Sequence, residues 1–576
     1  MNPPANNPLK MASLLKLMTT NKRDIVLAVL GLLFNTVVML GAPYIFGYVV
    51  DTYVAAGQYT GIFFYVGVLL AAFVIMYFVG YFQMMLMGTI GQNVLFRLRN
   101  NVFTKLQALP IAFFHQTKAG DLISRINNDT DKLNQFFSEI LMRFFGSIFL
   151  ILGAGVFMVI LNPRLGLLAL LPAFTMFLIT RLTAKWVQKR NAASLQSVGG
   201  LSAEIQESLD NFKVIVAFNR RDYFRARFEE ANQKNFSASL KAGATNNLFT
   251  PLFDLSSNIG QLVVVSYGIL LISQGKFTLG FLISFLIYLD RFYSPLRQIA
   301  TLWTSLQLAV AGWDRVSAIL NNPLELATTS STTKVNAESV LKFQNVSFNY
   351  PDGKTVLKNI NFDLEPGKTY ALVGPTGGGK TTTASLMARL YDPSEGTVLL
   401  HGQDLRSYSP ERRAQQIGFI LQEPFLFTGT IMENIFHGNS AYADRSNEDR
   451  QIAIKEAGLE ALLARFPEGL ETAVKSTGDG ISLGQRQLIA FMRAVLRKPD
   501  LLILDEATAN IDTVTEQLLE ETLEKLPPST TKVIIAHRLN TIENADDIFF
   551  VNDGTLTEAG SFDHALELLM QGERKS

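Results

Sequence analysis

The run Gly374-Pro375-Thr376-Gly377-Gly378-Gly379-Lys380-Thr381 fits the spacing G-x-x-x-x-G-K-[ST] at every defined position. Glycines at this spacing let backbone N–H groups approach phosphate oxygens closely. Lys380 can reach the outer phosphates, and the Thr381 hydroxyl can ligate a magnesium ion. The flanks fit that chemistry. Thr369–Val373 reads as a short buried strand, and a helix is expected from Thr382 to Leu390. A helix N-terminus behind the glycines adds favourable partial positive charge for an anion. The chain is expected to bind a nucleoside triphosphate.

Further chemistry lies downstream. Leu501-Leu502-Ile503-Leu504 is followed by Asp505 and Glu506. This reads as a buried parallel strand with two acids at its C-terminal end, where ligands sit in open α/β sheets. Asp505 would hold the magnesium, directly or through water. Glu506 would orient and polarise an attacking water as general base. Val533-Ile534-Ile535-Ala536-His537 is another apolar strand ending in a polar residue, and His537 can contact a terminal phosphate or be structural. Gln422 follows the strand Ile417–Leu421 and can touch the metal or the water, or be an ordinary loop residue. Tyr350 ends the alternating strand Val340–Tyr350 and can stack on an adenine ring or be a half-buried aromatic.

The elements that must position these groups occupy only part of the 576 residues, a length that implies two or more domains. Net charge is +1, which carries no nucleic-acid signature. Absence of cysteine excludes disulfides, thiolate metal sites and cysteine nucleophiles. The apolar residues are unevenly spread: no Asp, Glu, Lys or Arg stands between Thr52 and Phe96. Membrane spans of about 20 apolar residues are expected near 24–50, 61–87, 138–162, 165–188, 246–274 and 279–305. The first run is too long for a signal peptide. The connections at 88–137 and 189–245 are long and basic, with Arg97, Arg99, Lys105, Arg220, Arg221 and Arg225. The others are short and carry few charges. Positive residues stay inside, so the long loops and both termini are expected in the cytoplasm. Residues 1–23, with Lys10, Lys16, Lys22 and Arg23 among leucines, read as an amphipathic helix on the membrane surface. Asp254 and Asp290 are candidates for a wet path through the membrane. Glu139, Arg143, Asp290 and Arg291 either lie within the membrane, facing a cavity or a partner, or belong to the cytoplasmic extensions. A linker is expected at 321–339 and a soluble domain at 340–576.

Taken in order, Tyr350, Gly374–Thr381, Gln422, Ile481-Ser482-Leu483-Gly484-Gln485, Leu501–Glu506, Asn510-Ile511-Asp512 and His537 resemble the A-loop, Walker A, Q-loop, signature, Walker B, D-loop and H-loop of an ABC transporter ATPase. The resemblance spans the chain. Six spans fused ahead of one such domain is similar to the half-transporters of the exporter type. Leu109–His115 with Gly120–Arg125, and Glu207–Ala217, resemble the family's two intracellular loops, whose short coupling helices press on the ATPase domains. The resemblance implies an all-α six-helix transmembrane domain over 24–320 with long cytoplasmic extensions, fused to an α/β P-loop ATPase. It implies ATP and Mg2+ as cofactors. ATP would be held by Tyr350, Gly374, Pro375, Thr376, Gly377, Gly378, Gly379, Lys380, Thr381 and Thr382. Ser482, Gly484, Gln485 and Asp512 would act across a dimer of two chains. Thr381, Gln422 and Asp505 would hold the metal, and Glu506, His537 and Gln422 would serve catalysis.

Two departures bear on the partner. The third signature position, small in the family, is Leu483, and Lys475-Ser476-Thr477-Gly478 stands where a G-E-x-G turn is usual. Glu506 is nevertheless intact. This mixture resembles one chain of a bacterial heterodimeric multidrug exporter, embedded in plasma-membrane lipid with its ATPase domain cytoplasmic. Its cargo would be small amphipathic or hydrophobic compounds. A homodimer that tolerates the odd signature is the alternative for the partner; a flippase of lipid or lipid-linked substrates, a peptide exporter, a siderophore importer and a non-transporting regulatory subunit are the alternatives for function. The 42 phenylalanines suit a multidrug site and lipid-facing helices equally.

Overall fold

The computed structural model describes residues 22–322, 338–350, 353–475, 480–505, 513–535 and 543–573. The expected surface helix at 1–23 and most of the linker therefore lie outside the described residues, as do Ser476–Gly478, Glu506, Asp512 and His537. The chain divides into two units. The first holds residues up to 107 and 120–321; the second holds 108–119 and the chain from 322 onward.

The first unit is helical. Its helices are α1 (Lys22–Val49), α2 (Tyr59–Gln107), α4 (Ala119–Ser124), α5 (Thr130–Gln135), α6 (Leu141–Leu161), α7 (Pro163–Asp210), α8 (Phe212–Ala217), α9 (Arg221–Asn247), α10 (Phe249–Ser273) and α11 (Leu279–Leu320). A short α3 (Ile111–Gln116) falls in the second unit. π-helical turns at Arg125–Asp129 and Phe136–Ile140 join α4, α5 and α6 into one continuous run. Among the described residues, six runs are long and apolar enough to cross a membrane, and each coincides with one expected span to within a residue at its end or runs beyond it. At 1.5 Å per residue, the 48 residues of α7 reach roughly 70 Å, of which the hydrocarbon takes about 30 Å.

The helices meet through a core of Leu40, Ala154, Met158, Leu165, Ala169, Val264, Phe285, Tyr288 and Leu289. Polar groups buried in lipid need internal partners, and three hydroxyls at this core have them. The Tyr288 hydroxyl donates to the Leu40 carbonyl at 2.5 Å, Ser284 to Pro43 at 2.7 Å and Tyr293 to Ala169 at 3.0 Å. Where the first span ends and the sixth begins, Asp51 accepts from the Thr278 hydroxyl at 2.5 Å and from the Gly280 N–H at 2.7 Å. An acid from the end of the first span thus caps the helix of the sixth. In the extension, α7 and α9 are zipped by polar pairs. The amides of Asn191 and Asn246 exchange hydrogen bonds, Ser194 meets Ser239, and Arg227 pairs with Glu204 at 2.9 Å.

The second unit is built on two sheets. β1 (Leu341–Asn349), β2 (Thr355–Leu364), β4 (Glu395–Leu400) and the two-residue β5 (Gln403–Asp404) form an antiparallel sheet ordered β2-β1-β4-β5. β3 (Thr369–Val373), β6 (Ile417–Ile420), β7 (Leu501–Asp505), β8 (Thr531–Ile535), β9 (Asp547–Asn552) and β10 (Thr555–Glu558) form the other, ordered β10-β9-β3-β8-β7-β6. All its pairings are parallel except the β9–β10 edge. Strands buried on both faces read as unbroken apolar runs. β7 shows why: Leu501 and Ile503 enter the core beneath the antiparallel sheet, while Leu502 and Leu504 enter the core on the helical side.

Candidate nucleotide site and membrane path

The phosphate loop leaves β3, the strand between β8 and β9, and enters α12 (Lys380–Met387). Gly374 has φ +144°, and a Cβ there would lie 2.0 Å from the Val551 carbonyl oxygen on β9. Gly379, at φ +116°, precedes α12 as its N-cap. Only glycine fits such positions without strain, so the loop is held close against β9 with its amides grouped at a helix start. Lys380 is 6% exposed, and its ammonium donates to the carbonyls of Gly374 at 2.8 Å and Pro375 at 3.1 Å. Thr382 is buried, and its hydroxyl lies 3.1 Å from the Tyr350 hydroxyl. That bond sets Tyr350, at the end of β1, over the first turn of α12.

Asp505 is 3% exposed at the C-terminal end of β7, in register with Ile535 of β8. Ile420 of β6 pairs with Leu504 of the same strand, so the chain toward Gln422 leaves the sheet at the same edge. The structure therefore brings Tyr350, the Gly374–Thr382 loop, Asp505 and Gln422 into one unit, with the two acid- and amide-bearing strand ends on one edge. Pro375, Thr376, Gly377, Gly378 and Thr381 lie within the loop and its helix start. Glu506 is the residue after β7 and His537 the second residue after β8 in the sequence, and both lie outside the described residues. The residues present fit a magnesium–triphosphate group: a glycine cradle, a buried lysine, a hydroxyl at the second helical position and a buried carboxylate.

The signature is a helix start of its own. Ser482 caps α13 (Leu483–Val495), accepting from the Gln485 N–H at 3.2 Å, and the Gln485 side chain accepts from the Ser482 N–H at 2.9 Å. The Gln485 amide also donates to the Arg465 carbonyl at 2.8 Å. This reciprocal cap was legible as S-x-x-Q ahead of an apolar run. Leu483 and Gly484 are the first two residues of the helix.

Sequence reading missed an aromatic row. The His115 ring stacks on Tyr391 with centroids 6.4 Å apart, and Tyr391 stands edge-on to Tyr350 at 5.5 Å. Burial raises the Tyr391 phenol pKa above its ordinary value, with a smaller push from Tyr350. The segment 108–119 thus joins the aromatic edge of the nucleotide site. Beyond Gln422, Phe425 and Phe427 remain exposed. His437 stacks on Phe427 at 3.8 Å. Burial and the neighbouring Arg493 and Arg497 lower its pKa and favour the neutral ring. Arg493 is itself pushed down to about 10 by burial, then by Arg497.

In the first unit, Asp254 does not stand alone. It pairs with Arg297 at 2.6 Å, joining α10 to α11. Glu139 pairs with Arg143 at 2.8 Å. Asp254, Asn258 and Gln261 are exposed at successive turns of α10, and Asp290 and Arg297 are exposed two turns apart on α11. Counting 1.5 Å per residue from the C-terminal end of α10 and the N-terminal end of α11 places Gln261 and Asp290 about 17 Å, and the Asp254–Arg297 pair about 28 Å, from those ends. Polar faces therefore begin near the middle of a hydrocarbon layer about 30 Å thick and run to its far side.

Comparison with known proteins accounts for both units. Residues 25–296 match the ABC transporter transmembrane region, and residues 357–509 match the ABC transporter ATPase model described simply as ABC transporter. The chain is 34% identical over 490 residues to a fatty acid ABC transporter ATP-binding/permease protein of Mycobacterium tuberculosis, covering 85% of this chain and 77% of that one. The chain belongs to the ABC transporter family. It is 31% identical over 474 residues to a multidrug resistance ABC transporter ATP-binding and permease protein of Lactococcus lactis, covering 82% and 80% of the two. A solved structure of a bacterial Atm1-family ABC exporter with ATP bound aligns with a TM-score of 0.78 at 26% identity, covering 96% of each chain. This ABC transporter is a multi-pass membrane protein of the exporter fold that binds ATP and couples its hydrolysis to transport. Half-transporters of this kind commonly dimerise.

Proposed function

We propose that the chain is one half of a heterodimeric exporter of amphipathic compounds in a bacterial plasma membrane, with its ATPase unit in the cytoplasm. The observation that carries the cargo reading is the pair of polar faces on α10 and α11. A charged side chain in lipid is costly and normally faces water, a partner or a ligand. Here acids, amides and an arginine stay exposed to mid-membrane depth and give way to apolar residues above. An amphipathic molecule matches such a path. The fatty acid and multidrug names of two relatives agree with it.

The same proposal assigns the ATP site. Tyr350 stacks on the adenine, the Gly374–Thr382 loop holds the phosphates, and Thr381, Gln422 and Asp505 hold the magnesium, which would supply charge neutralisation at the β- and γ-phosphates. Glu506 takes a proton from the attacking water, and His537 holds the terminal phosphate. Ser482, Gly484, Gln485 and Asp512 serve the partner's nucleotide. The second coupling segment supports a dimer. Phe212, Val214 and Phe218, at the tip between α7 and α9, are 58%, 54% and 74% exposed. That far from lipid, such apolar side chains mark a protein contact. Leu483 in the signature favours an unlike partner, because bulk at a helix start hinders close approach of a phosphate.

Expression of this chain alone tests the partner reading. Weak ATPase activity, restored by co-expression with a second half-transporter, is expected; strong activity alone sinks the heterodimer. Purified in liposomes, the pair should move a lipophilic dye. Asp254→Asn and Arg297→Gln should each lower that flux severalfold, and the exchanged pair Asp254→Arg/Arg297→Asp should recover part of it. Unchanged flux in both single variants would remove the pair from the path.

A lipid-like cargo has one observation in its favour. A groove of about 400 Å³ in the outer half of the membrane is lined only by apolar side chains, among them Leu152, Val156, Ile160, Leu170 and Phe292. Its size and lining suit an acyl chain. Lipid scrambling by the same liposomes distinguishes this reading.

A further inference from the structure

Asp129 is a buried acid that nothing in the nucleotide chemistry uses. It has no exposure at all and ends the π-helical turn Arg125–Asp129, in the cytoplasmic extension of the third span. One carboxylate oxygen accepts from Lys132 at 3.1 Å and from the Arg315 guanidinium of α11. The other oxygen is buried and has no hydrogen-bond partner among the described residues. A carboxylate so placed is tolerated only because two cations meet it.

The surroundings show that this contact is built. Gly312, one turn before Arg315, lies against the acid's backbone, where a Cβ would be 3.2 Å from the Asp129 carbonyl oxygen. Arg99 of α2 closes the other side. It donates to the Ile126 carbonyl and the Thr130 hydroxyl at 3.3 Å each and pairs with Asp131 at 2.9 Å. Three membrane-crossing runs are thereby tied within seven consecutive residues, 126–132. The tie lies roughly 25 Å below the inner membrane surface, by the rise of α11 from its extracellular end.

Its place in the chain gives it a use. α11 ends at Leu320, five residues past Arg315, and continues as the chain that enters the ATPase unit. Any displacement that unit imposes on the end of α11 arrives beside Arg315. π-helical turns stand before and after α5, and such wide turns recur where helices must adjust. We propose that Asp129 is a positioning residue: its ion pair with Arg315 makes α11 move as one body with the third span and with α2, which Arg99 ties to the same segment, so that motion from the ATPase reaches the membrane helices undiminished. The proposal holds for a like or an unlike partner, since every group in it belongs to one chain.

The absence of native cysteine lets the test use two introduced ones. Asn128→Cys and Leu308→Cys, both at exposed positions, carry spin labels in the full dimeric transporter. The label distance is measured without nucleotide and with ATP plus vanadate. In the parent it should be the same in both states. With Asp129→Asn it should become nucleotide-dependent, shifting or broadening by roughly one helical turn, about 5 Å. ATP hydrolysis should stay within about threefold. Arg315→Gln should behave likewise and provides the same measurement if the Asp129 variant does not fold. Asp129→Glu, which keeps the charge, should preserve the fixed distance. A distance that stays nucleotide-independent in both neutralised variants, even with a lowered melting temperature, overturns the proposal. So does a distance that already changes in the parent.

Discussion

Replacing Glu506 with glutamine should lower ATP turnover by about 10²- to 10⁴-fold, the range set by loss of a general base, while leaving ATP binding intact. The expectation rests on where β7 delivers the residue. All five residues of β7 are buried, and the strand lies between β6 and β8. Glu506 is the next residue after Asp505. β7 ends with Asp505 at the same edge of the sheet as the ends of β6 and β8, from which the chain continues toward Gln422 and His537. Glutamine keeps the size of the side chain and can still orient a water, but it cannot take the proton. In the proposed assignment binding depends instead on the loop after β3 and on Tyr350, which the substitution does not touch. Turnover from the steady-state rate and affinity from titration with a fluorescent ATP analogue separate the two effects. Unchanged turnover would remove Glu506 from the role of base. A parallel loss of binding would mean that it serves the loop instead.

What could be read in the sequence was local. The phosphate loop was legible because its glycines answer a local demand: φ +144° at Gly374 with a carbonyl oxygen 2.0 Å from the missing Cβ. The membrane half was legible because no charge interrupts Thr52–Phe96. Composition sets the end of the expected span near residue 87 but not the end of the helix, because α2 continues to Gln107 through residues that suit a soluble helix equally well. The cap Ser482–Gln485 was written in an S-x-x-Q spacing and went unread because the same residues also formed a signature. The pairs that escaped notice are long-range. Asp254 looked like a lone acid in lipid, yet its partner Arg297 lies 43 positions away. Asp129 and Arg315 are 186 positions apart. His115 and Tyr391 meet only because the segment 108–119 joins the second unit. No periodicity or local spacing encodes such pairings. They follow from the packing of long helices and from which piece of chain each unit claims.

Lys380→Ala should weaken ATP binding by about 10- to 150-fold, the equivalent of one charge-assisted hydrogen bond of 1.5–3 kcal/mol. It should lower turnover further, by about 10²- to 10³-fold, because a cation aimed at the transferring phosphoryl group acts most strongly in the transition state. The side chain is 6% exposed and its ammonium is held by the Gly374 and Pro375 carbonyls, at the centre of the loop. A lysine held this way reaches a phosphate with little rotamer entropy left to lose. Alanine removes the charge and deprives both carbonyls of that donor, so a modest fall in melting temperature without nucleotide is also expected. The two losses are separable. If the lysine were merely structural, saturating ATP would restore the melting temperature and turnover together. If it binds phosphate, ATP should protect the variant poorly and turnover should stay low at any ATP concentration. Retention of both affinity and turnover would exclude Gly374–Thr381 from the nucleotide site, and with it the assignment of Tyr350 and Thr382 that the loop supports.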